Sequence, residues 1–141
     1  MGRILAIDYG TKRVGLAVTD EMKIIAHALK TVHSKEVIFF LKEYVVKENV
    51  ECIVVGEPKN MDGSFSESEK FIQPFIKQLQ SLFPEIPVHR FDERFTSKMA
   101  MQTLDDSGMK KKDRQNKELL DSVSATIILQ SYMENIHLMK K

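Results

Sequence analysis

Three carboxylates stand where the sequence predicts that strands end or a helix packs inward. Asp8 closes the apolar run at residues 4–7, Glu93 follows the run at residues 88–92, and Asp121 lies early in a long helical pattern. Hard divalent cations such as Mg²⁺ and Mn²⁺ prefer oxygen ligands. Two such ions about 4 Å apart can activate a water molecule and stabilise the leaving oxygen of a phosphodiester. If folding gathers the three side chains, metal-dependent phosphodiester hydrolysis is the chemistry that they support.

Two of the acids, Asp8 and Asp121, also have an interpretation in which they take no part in chemistry. Asp8 can be a solvated carboxylate at a strand end, since short motifs match by chance. Asp121 lies on the inward stripe of its helix, where an ionised carboxylate is costly unless it is paired or binds a metal. A salt bridge from Asp121 to Arg94 or Lys117, or an edge position that stays in water, is the alternative there.

The first third of the chain predicts three consecutive strands. Residues 4–7 are apolar on both faces, which is typical of a central strand covered on both sides. A polar turn at residues 9–13 follows, in which Gly10 is free to take a positive φ. Strand character resumes at residues 14–18 and again at residues 24–32. Short turns between these runs favour an antiparallel meander.

The next segment predicts a crossover. Ser34 is a candidate N-cap for a helix that ends near Asn49, and residues 51–56 form a fourth strand that is apolar on both faces. A helix between two strands implies parallel pairing in the sheet. The loop at residues 57–64 lies beyond the carboxyl end of that central strand, where open α/β sheets collect their ligands.

The remainder predicts further helices and one more strand. Ser66 or Ser68 is the predicted cap of a second helix, and residues 88–92 form the fifth strand. Thr96 or Ser97 caps a third helix, which stops near Gly108. Residues 119–133 form the last helix. The predicted fold class is therefore α/β. It has a five-stranded mixed sheet in the order β1-β2-β3-α-β4-α-β5-α-α, with helices on both faces.

Composition limits the class of protein. The chain has 141 residues, 43% of them hydrophobic and 29% charged, with a net charge of +1. This length suits one globular domain spanning residues 1–141. No apolar run reaches membrane-spanning length and no export signal is recognisable, so we expect a cytoplasmic protein with no membrane partner. The single Cys52 excludes an internal disulfide.

Four segments together resemble the successive signatures of the YqgF family. They read IDYGTKRVGLA at residues 7–17, VGEPKNMDGS at 55–64, DERFTS at 92–97 and DSVSA at 121–125. That family comprises Holliday-junction-resolvase-like nucleases, also described as pre-16S rRNA processing nucleases. The resemblance implies an RNase H-like fold, with Asp8, Glu93 and Asp121 as metal-binding catalytic acids. It also implies 5′-end maturation of the ribosomal RNA precursor, with a branched DNA junction as the alternative substrate. Glu57 departs from the pattern, since the family more often has an apolar or basic residue there.

Basic and hydroxyl side chains near the acids are candidates for binding phosphate. The candidates are Thr11, Lys12, Arg13, Lys59, Arg94 and Thr96, and the basic run Lys110, Lys111 and Lys112. For Thr96, helix capping is the alternative, and Arg94 can instead pair with Asp92 or Glu93. A charge run can simply be a solvated loop, but beside carboxylates it can hold a polyanion, and we expect it to close over bound nucleic acid.

Two other functions compete with a nuclease that cleaves structured RNA. Asp8, Gly10 and Thr11 also resemble the phosphate loop of actin-type and sugar-kinase ATPases, but those enzymes need two lobes and this chain has length for one. A non-catalytic nucleic-acid-binding or transcription factor on the same fold is the other candidate. Three carboxylates facing phosphate argue against it. The sequence leaves monomer and homodimer both open.

Overall fold

A five-stranded sheet organises the chain, with β1 at its centre. The computed structural model describes residues 2–60, 62–95 and 117–139, without the side chains of residues 95, 117–121 and 137–139. The strands are β1 (Arg3–Tyr9), β2 (Arg13–Thr19), β3 (Ala26–His33), β4 (Val50–Glu57) and β5 (Val88–Asp92). The helices are α1 (Val37–Lys47), α2 (Glu69–Leu82) and α3 (Lys117–Met139), and a short 3-10 turn covers Glu93–Phe95.

The sheet has the mixed topology that the sequence predicts. Its strand order is β3-β2-β1-β4-β5. The pairs β1–β2 and β2–β3 are antiparallel, which confirms the meander, and β1–β4 and β4–β5 are parallel, which confirms the crossover. The carboxyl ends of β1, β4 and β5 therefore meet at one edge of the sheet.

Two apolar layers cover the sheet, one on each face. Alternate strand residues point to opposite faces, so two sets of side chains separate cleanly. One set packs with α1 and α2 and includes Leu5, Ile7, Leu16, Ile53 and Val55. The other packs with α3 and comprises Ile4, Ala6, Ala17, Val54 and Phe91 beside Ala125, Ile128 and Leu129. The prediction of helices on both faces is confirmed.

The predicted cap of α1 is wrong. The helix begins at Val37, and the residue at its N-cap position is Glu36, which makes no side-chain capping hydrogen bond. The Ser34 hydroxyl instead donates to the carbonyl oxygen of Thr11, at 2.6 Å, and so ties β3 to the β1–β2 turn. The predicted end is correct, because Asn49 has a φ of 52° just beyond the helix.

Some predicted elements lie outside the described residues. These are the helix between Thr96 and Gly108 and residues 110–116 of the basic run. The final helix is described, and it is longer than predicted, spanning Lys117–Met139. In the ranges that the structure describes, no helix combines the length and apolar character needed to cross a bilayer.

A buried ion pair fixes the start of α2 against the sheet. The Arg90 guanidinium of β5 donates to both carboxylate oxygens of Glu69, at 2.7 and 2.8 Å. It also donates to the carbonyl oxygens of Val55 and Gly56 in β4. Arg90 lowers the pKa of the Glu69 carboxyl, and this effect outweighs the opposing effect of burial. One side chain therefore joins α2, β4 and β5 at the edge where the parallel strands end.

Replacing Glu69 by Gln keeps the shape of the side chain but removes the charge that faces Arg90. Because the folded-state pKa of Glu69 is lowered from 4.5, the pair stabilises the fold above that pH and loses its contribution as the pH falls through the folded-state value. We expect Glu69→Gln to lose about 2 kcal/mol of unfolding free energy near neutral pH. The difference from wild type should shrink in acid. Urea unfolding at several pH values measures both effects.

The matched control is Glu85→Gln, which changes an exposed glutamate after α2. Its unfolding free energy should stay within about 0.5 kcal/mol of wild type at every pH. A Glu69→Gln variant that is destabilised equally at neutral and acid pH would contradict an electrostatic origin.

Candidate active site

At Gly56, β4, α3 and the segment after β5 approach one another closely. A Cβ atom placed on Gly56 would lie 2.9 Å from Ile128 Cδ1, 3.2 Å from Glu93 Cδ and 3.3 Å from Glu93 Oε2. A methyl group there would require the end of the Ile128 side chain or the Glu93 carboxylate to shift. The Glu93 carboxylate consequently lies over the β4 backbone, on the face of the sheet that α3 covers.

Asp8 lies on the same face, one strand away. Ala6 packs under α3, and strand alternation places Asp8 two residues further along the same face. Ile7 pairs with Val55 in the parallel β1–β4 ladder, so Asp8 and Gly56 are the next residues of the two neighbouring strands. Asp8 is half-buried. Asp8 and Glu93 therefore flank Gly56 at the carboxyl ends of the strands.

The surroundings of Glu93 raise the pKa of its carboxyl. Burial raises the pKa of the Glu93 carboxyl, Arg90 lowers it and Asp92 raises it. The net direction is upward from the ordinary value of 4.5. A cation near a half-buried carboxylate favours its charged form and so opposes the effect of burial. Two carboxylates on one face of a sheet edge also match the oxygen donors that Mg²⁺ and Mn²⁺ prefer.

Asp121 is placed by its backbone alone. It lies in the second turn of α3, seven residues before Ile128, which is about two helical turns or 10 Å along the axis. The Ile128 side chain reaches Gly56, so position 121 belongs to the helix stripe that faces this edge. Among the side chains that the structure describes, no three His, Cys, Asp or Glu residues group into a metal site. The contribution of the Asp121 carboxylate remains a prediction.

A network of ion pairs occupies the opposite face of the same edge. Lys59 Nζ lies 3.3 Å from Glu57 Oε1 and 3.9 Å from Asp92 Oδ2. Arg94 binds Asp92 through Nε and Nη2 at 2.7–3.1 Å. Arg94 lowers the pKa of the Asp92 carboxyl, an effect that outweighs burial. Glu57, which departs from the family pattern, faces Lys59 and Arg90 here, away from the face that carries Gly56.

The candidate phosphate-binding residues divide into three groups. Thr11 and Lys12 are exposed in the turn after β1, and Arg13 is half-buried at the start of β2. Lys59 and Arg94 are engaged in the ion pairs just described, so the predicted pairing of Arg94 is with Asp92. Thr96 and the basic run Lys110, Lys111 and Lys112 lie outside the described residues.

Sequence reasoning missed two residues that shape this edge. Gly56 follows an apolar run directly, and a glycine at the end of a central strand is a recognisable sign of close approach by another element. Arg90 stands among the alternating residues of β5, where an inward-facing arginine needs an acidic partner. Its partner Glu69 lies 21 residues away in another element. No local pattern identifies that pair.

Comparison with known proteins identifies the family. A family model described as RuvX, Holliday junction resolvase, matches residues 2–135. The chain belongs to this family. A Christiangramia forsetii protein with the name "Putative pre-16S rRNA nuclease" is 57% identical over 133 residues, 94% of this chain and 98% of that protein. A Flavobacterium johnsoniae protein of the same name is 56% identical over 135 residues, 96% of this chain and 98% of that protein.

Solved structures of low sequence identity share the fold. RuvC of Thermus thermophilus, in complex with a Holliday junction substrate, has a TM-score of 0.61 and 15% identity and covers 96% of both chains. Fowlpox virus resolvase, in complex with Holliday junction DNA, has a TM-score of 0.53 and 19% identity and covers 94% of this chain and 99% of its own. The RNase H-like fold that the resemblance implies is confirmed.

Family membership decides between the competing functions. As a RuvX-family member the chain is a nuclease, a hydrolase of phosphodiester bonds in nucleic acid. The alternatives of a phosphate-loop ATPase and of a non-catalytic binding factor are not supported. The matched residues 2–135 include all three predicted acids.

Gly56→Ala tests whether the close packing of Ile128 and Glu93 against Gly56 positions the Glu93 carboxylate. The added methyl group would overlap Ile128 Cδ1 and crowd Glu93 Oε2. We expect a loss of about 1–3 kcal/mol of unfolding free energy from overpacking. We also expect at least a tenfold loss of nuclease activity, because a displacement of about 1 Å at a reacting centre costs that much or more. Thermal unfolding and single-turnover cleavage measure the two effects separately.

The second variant is Gly56→Ala combined with Ile128→Val, which deletes the Cδ1 atom that the new methyl group meets. Stability should recover while cleavage stays low, since the crowding of Glu93 persists. Full recovery of cleavage in the double variant would show that the position of α3, and not that of Glu93, matters.

Proposed function

We propose that this nuclease cleaves the 5′ region of pre-16S ribosomal RNA with the help of a divalent cation, and that Asp8, Glu93 and Asp121 are its catalytic acids. The observation that carries the proposal is the Glu93 carboxylate lying over Gly56, in the strand beside Asp8. The names of the relatives support ribosomal RNA as the substrate. The predicted role of Asp121 is supported by its position on α3. It lies on the same side of the helix as Ile128, whose side chain contacts Gly56.

Mg²⁺ or Mn²⁺ is the cation that these donors fit. Carboxylates on one face of a strand edge supply hard oxygen ligands, and burial of Glu93 makes a bound cation favourable. When bound, such ions supply activation of water and stabilisation of the leaving oxygen during phosphodiester hydrolysis.

The chain's own residues hold and orient the substrate. Thr11 and Lys12 are exposed in the β1–β2 turn, which follows Asp8, and there they can bind a phosphate next to the scissile one. Gly56 leaves room for the Glu93 carboxylate, and Ile128 closes the site from the α3 side. Lys59 and Arg94 compensate the acids Glu57 and Asp92 on the other face, which reduces repulsion of the phosphate backbone.

A four-way DNA junction is the second candidate substrate. The description of the matching family names Holliday junction resolvase, and two solved proteins of the same fold are bound to such junctions. Cleavage of a pre-16S RNA fragment and of a synthetic junction under identical conditions compares the two. We expect faster cleavage of the RNA.

The proposed substrate indicates where the protein acts. Ribosomal RNA precursors are processed in the bacterial cytoplasm, which is where we place the protein. Monomer and homodimer both accommodate the site, since the acids belong to one chain. Light scattering with and without RNA distinguishes the two states.

Asp8→Asn and Glu93→Gln should each reduce cleavage of a pre-16S RNA fragment in Mg²⁺ or Mn²⁺ by about a hundredfold or more. Each change replaces a carboxylate by an amide, which is a poor ligand for a hard cation. Calorimetric titration with Mn²⁺ provides a readout besides activity, and both variants should bind the ion more weakly than wild type.

Glu85→Gln is the matched control for Glu93→Gln, because it makes the same chemical change at an exposed position. It should cleave RNA and bind Mn²⁺ as the wild type does. If Asp8→Asn cleaves as fast as wild type, the acids do not carry the reaction and a contaminating nuclease explains the cleavage.

A further inference from the structure

A second concavity lies at the same sheet edge, on the face opposite Asp8 and Glu93. Its volume is about 560 Å³, and it opens between the end of β1 and the start of α2. Its lining residues are Tyr9, Gly10, Thr11, Glu67, Ser68, Lys70 and Phe71. None of them has a role in the site described so far except Thr11. We call this cavity the β1–α2 pocket.

Aromatic rings form one wall of the β1–α2 pocket. Tyr9 stacks on Phe75, with ring centroids 4.4 Å apart and planes inclined by 25°. Phe71 lies one helical turn before Phe75 on α2, and 48% of its surface is exposed. The exposed part of the Phe71 ring faces the β1–α2 pocket, which Tyr9 also lines. The wall offers an apolar surface for a flat ligand.

Cationic and hydroxyl groups lie beside the rings. Lys70 Nζ sits 5.2 Å from the centroid of the Phe71 ring. Ser68 occupies the N-cap position of α2 but makes no side-chain capping hydrogen bond. The hydroxyl of Thr11 belongs to the exposed turn. An aromatic face with an ammonium group and hydroxyls around it matches a nucleotide, whose base stacks and whose phosphate accepts hydrogen bonds.

We propose that the β1–α2 pocket binds one unpaired nucleotide of the RNA substrate, next to the nucleotide that is cleaved. The base stacks on Phe71 and the edge of the Tyr9 ring, and the phosphate is bound by Lys70 and Thr11. Glu67 accepts hydrogen bonds from exocyclic amino groups of the base. Recognition of a splayed base is available only where the RNA is single-stranded.

The position of the β1–α2 pocket links it to cleavage. Tyr9 follows Asp8 directly, with Cα atoms about 3.8 Å apart, and their side chains point to opposite faces of the sheet. A strand whose phosphate lies at Asp8 therefore passes over the β1–β2 turn, beside Lys12, before its next base reaches the pocket. The inference rests on the proposed function and adds to it that the cleavage site adjoins an unpaired base.

The test is binding of a single-stranded oligoribonucleotide that contains 2-aminopurine, whose fluorescence falls when the base stacks. EDTA prevents cleavage during the titration. Wild type should quench the probe, and Phe71→Ala should bind it about tenfold more weakly and lose the quenching, in line with the removal of one base–aromatic stack. Phe71→Trp should restore both. Lys70→Gln should weaken binding and flatten its salt dependence.

Phe39→Ala is the matched control, since Phe39 is an α1 phenylalanine that is 70% exposed and lies outside the pocket. It should bind the probe as wild type does. Binding by Phe71→Ala that equals that of wild type, or equally tight binding of a fully paired duplex by wild type, would overturn the proposal.

Cleavage of the pre-16S fragment separates this failure from failure of the proposed function. If wild type cleaves the fragment and Phe71→Ala retains the KM of wild type, the pocket has no role but the nuclease assignment stands. If Phe71→Ala raises KM with little change in the single-turnover rate at saturation, the pocket binds substrate as proposed. If wild type does not cleave the fragment at all, the proposed substrate is wrong, and so is this inference, which depends on it.

Discussion

The close approach of α3 to the end of β4 is the constraint on which the candidate site depends. Gly56 has no side chain, and the Ile128 side chain and the Glu93 carboxylate both lie in the space that a side chain there would occupy. A side chain there would displace the end of the Ile128 side chain or the Glu93 carboxylate. Gly56 thus allows the helix that carries Asp121 to lie close to the acids at the strand ends.

Small side chains also bring α3 close to the sheet around Ala125. Ala6 and Ala17 of the sheet and Ala125 of the helix are fully buried in one cluster with Ile128 and Leu129. Helices pack closer where the facing side chains are small, because the backbone separation is set by what lies between. The core under α3 therefore contributes to the geometry of the site, even though its members take no part in chemistry.

The sequence was sufficient for the order of elements, since strands that are apolar on both faces indicate a central position and helical spacing identifies the crossovers. Asp8 and Glu93 were predictable for the same reason, as acids at strand ends. Other features depend on partners far apart in sequence. The Ser34 hydroxyl meets Thr11, 23 residues away, and Arg90 meets Glu69, 21 residues away. No local propensity encodes such contacts, so the cap was misassigned and the ion pair was missed.

Charge is divided between the two faces of this edge in a way that suits an anionic substrate. On the α1 and α2 face, the acids Glu57, Glu69 and Asp92 are each in contact with Lys59, Arg90 or Arg94. These pairs limit the negative potential that a nucleic acid meets there, because opposite charges in contact largely cancel at a distance. On the α3 face, burial raises the pKa of the Glu93 carboxyl, and a bound cation would oppose this shift because it favours the charged form. The ion pairs lower the repulsion between this carboxylate-rich edge and phosphate, and a cation held by the acids would lower it further, so substrate approach and cation binding favour each other.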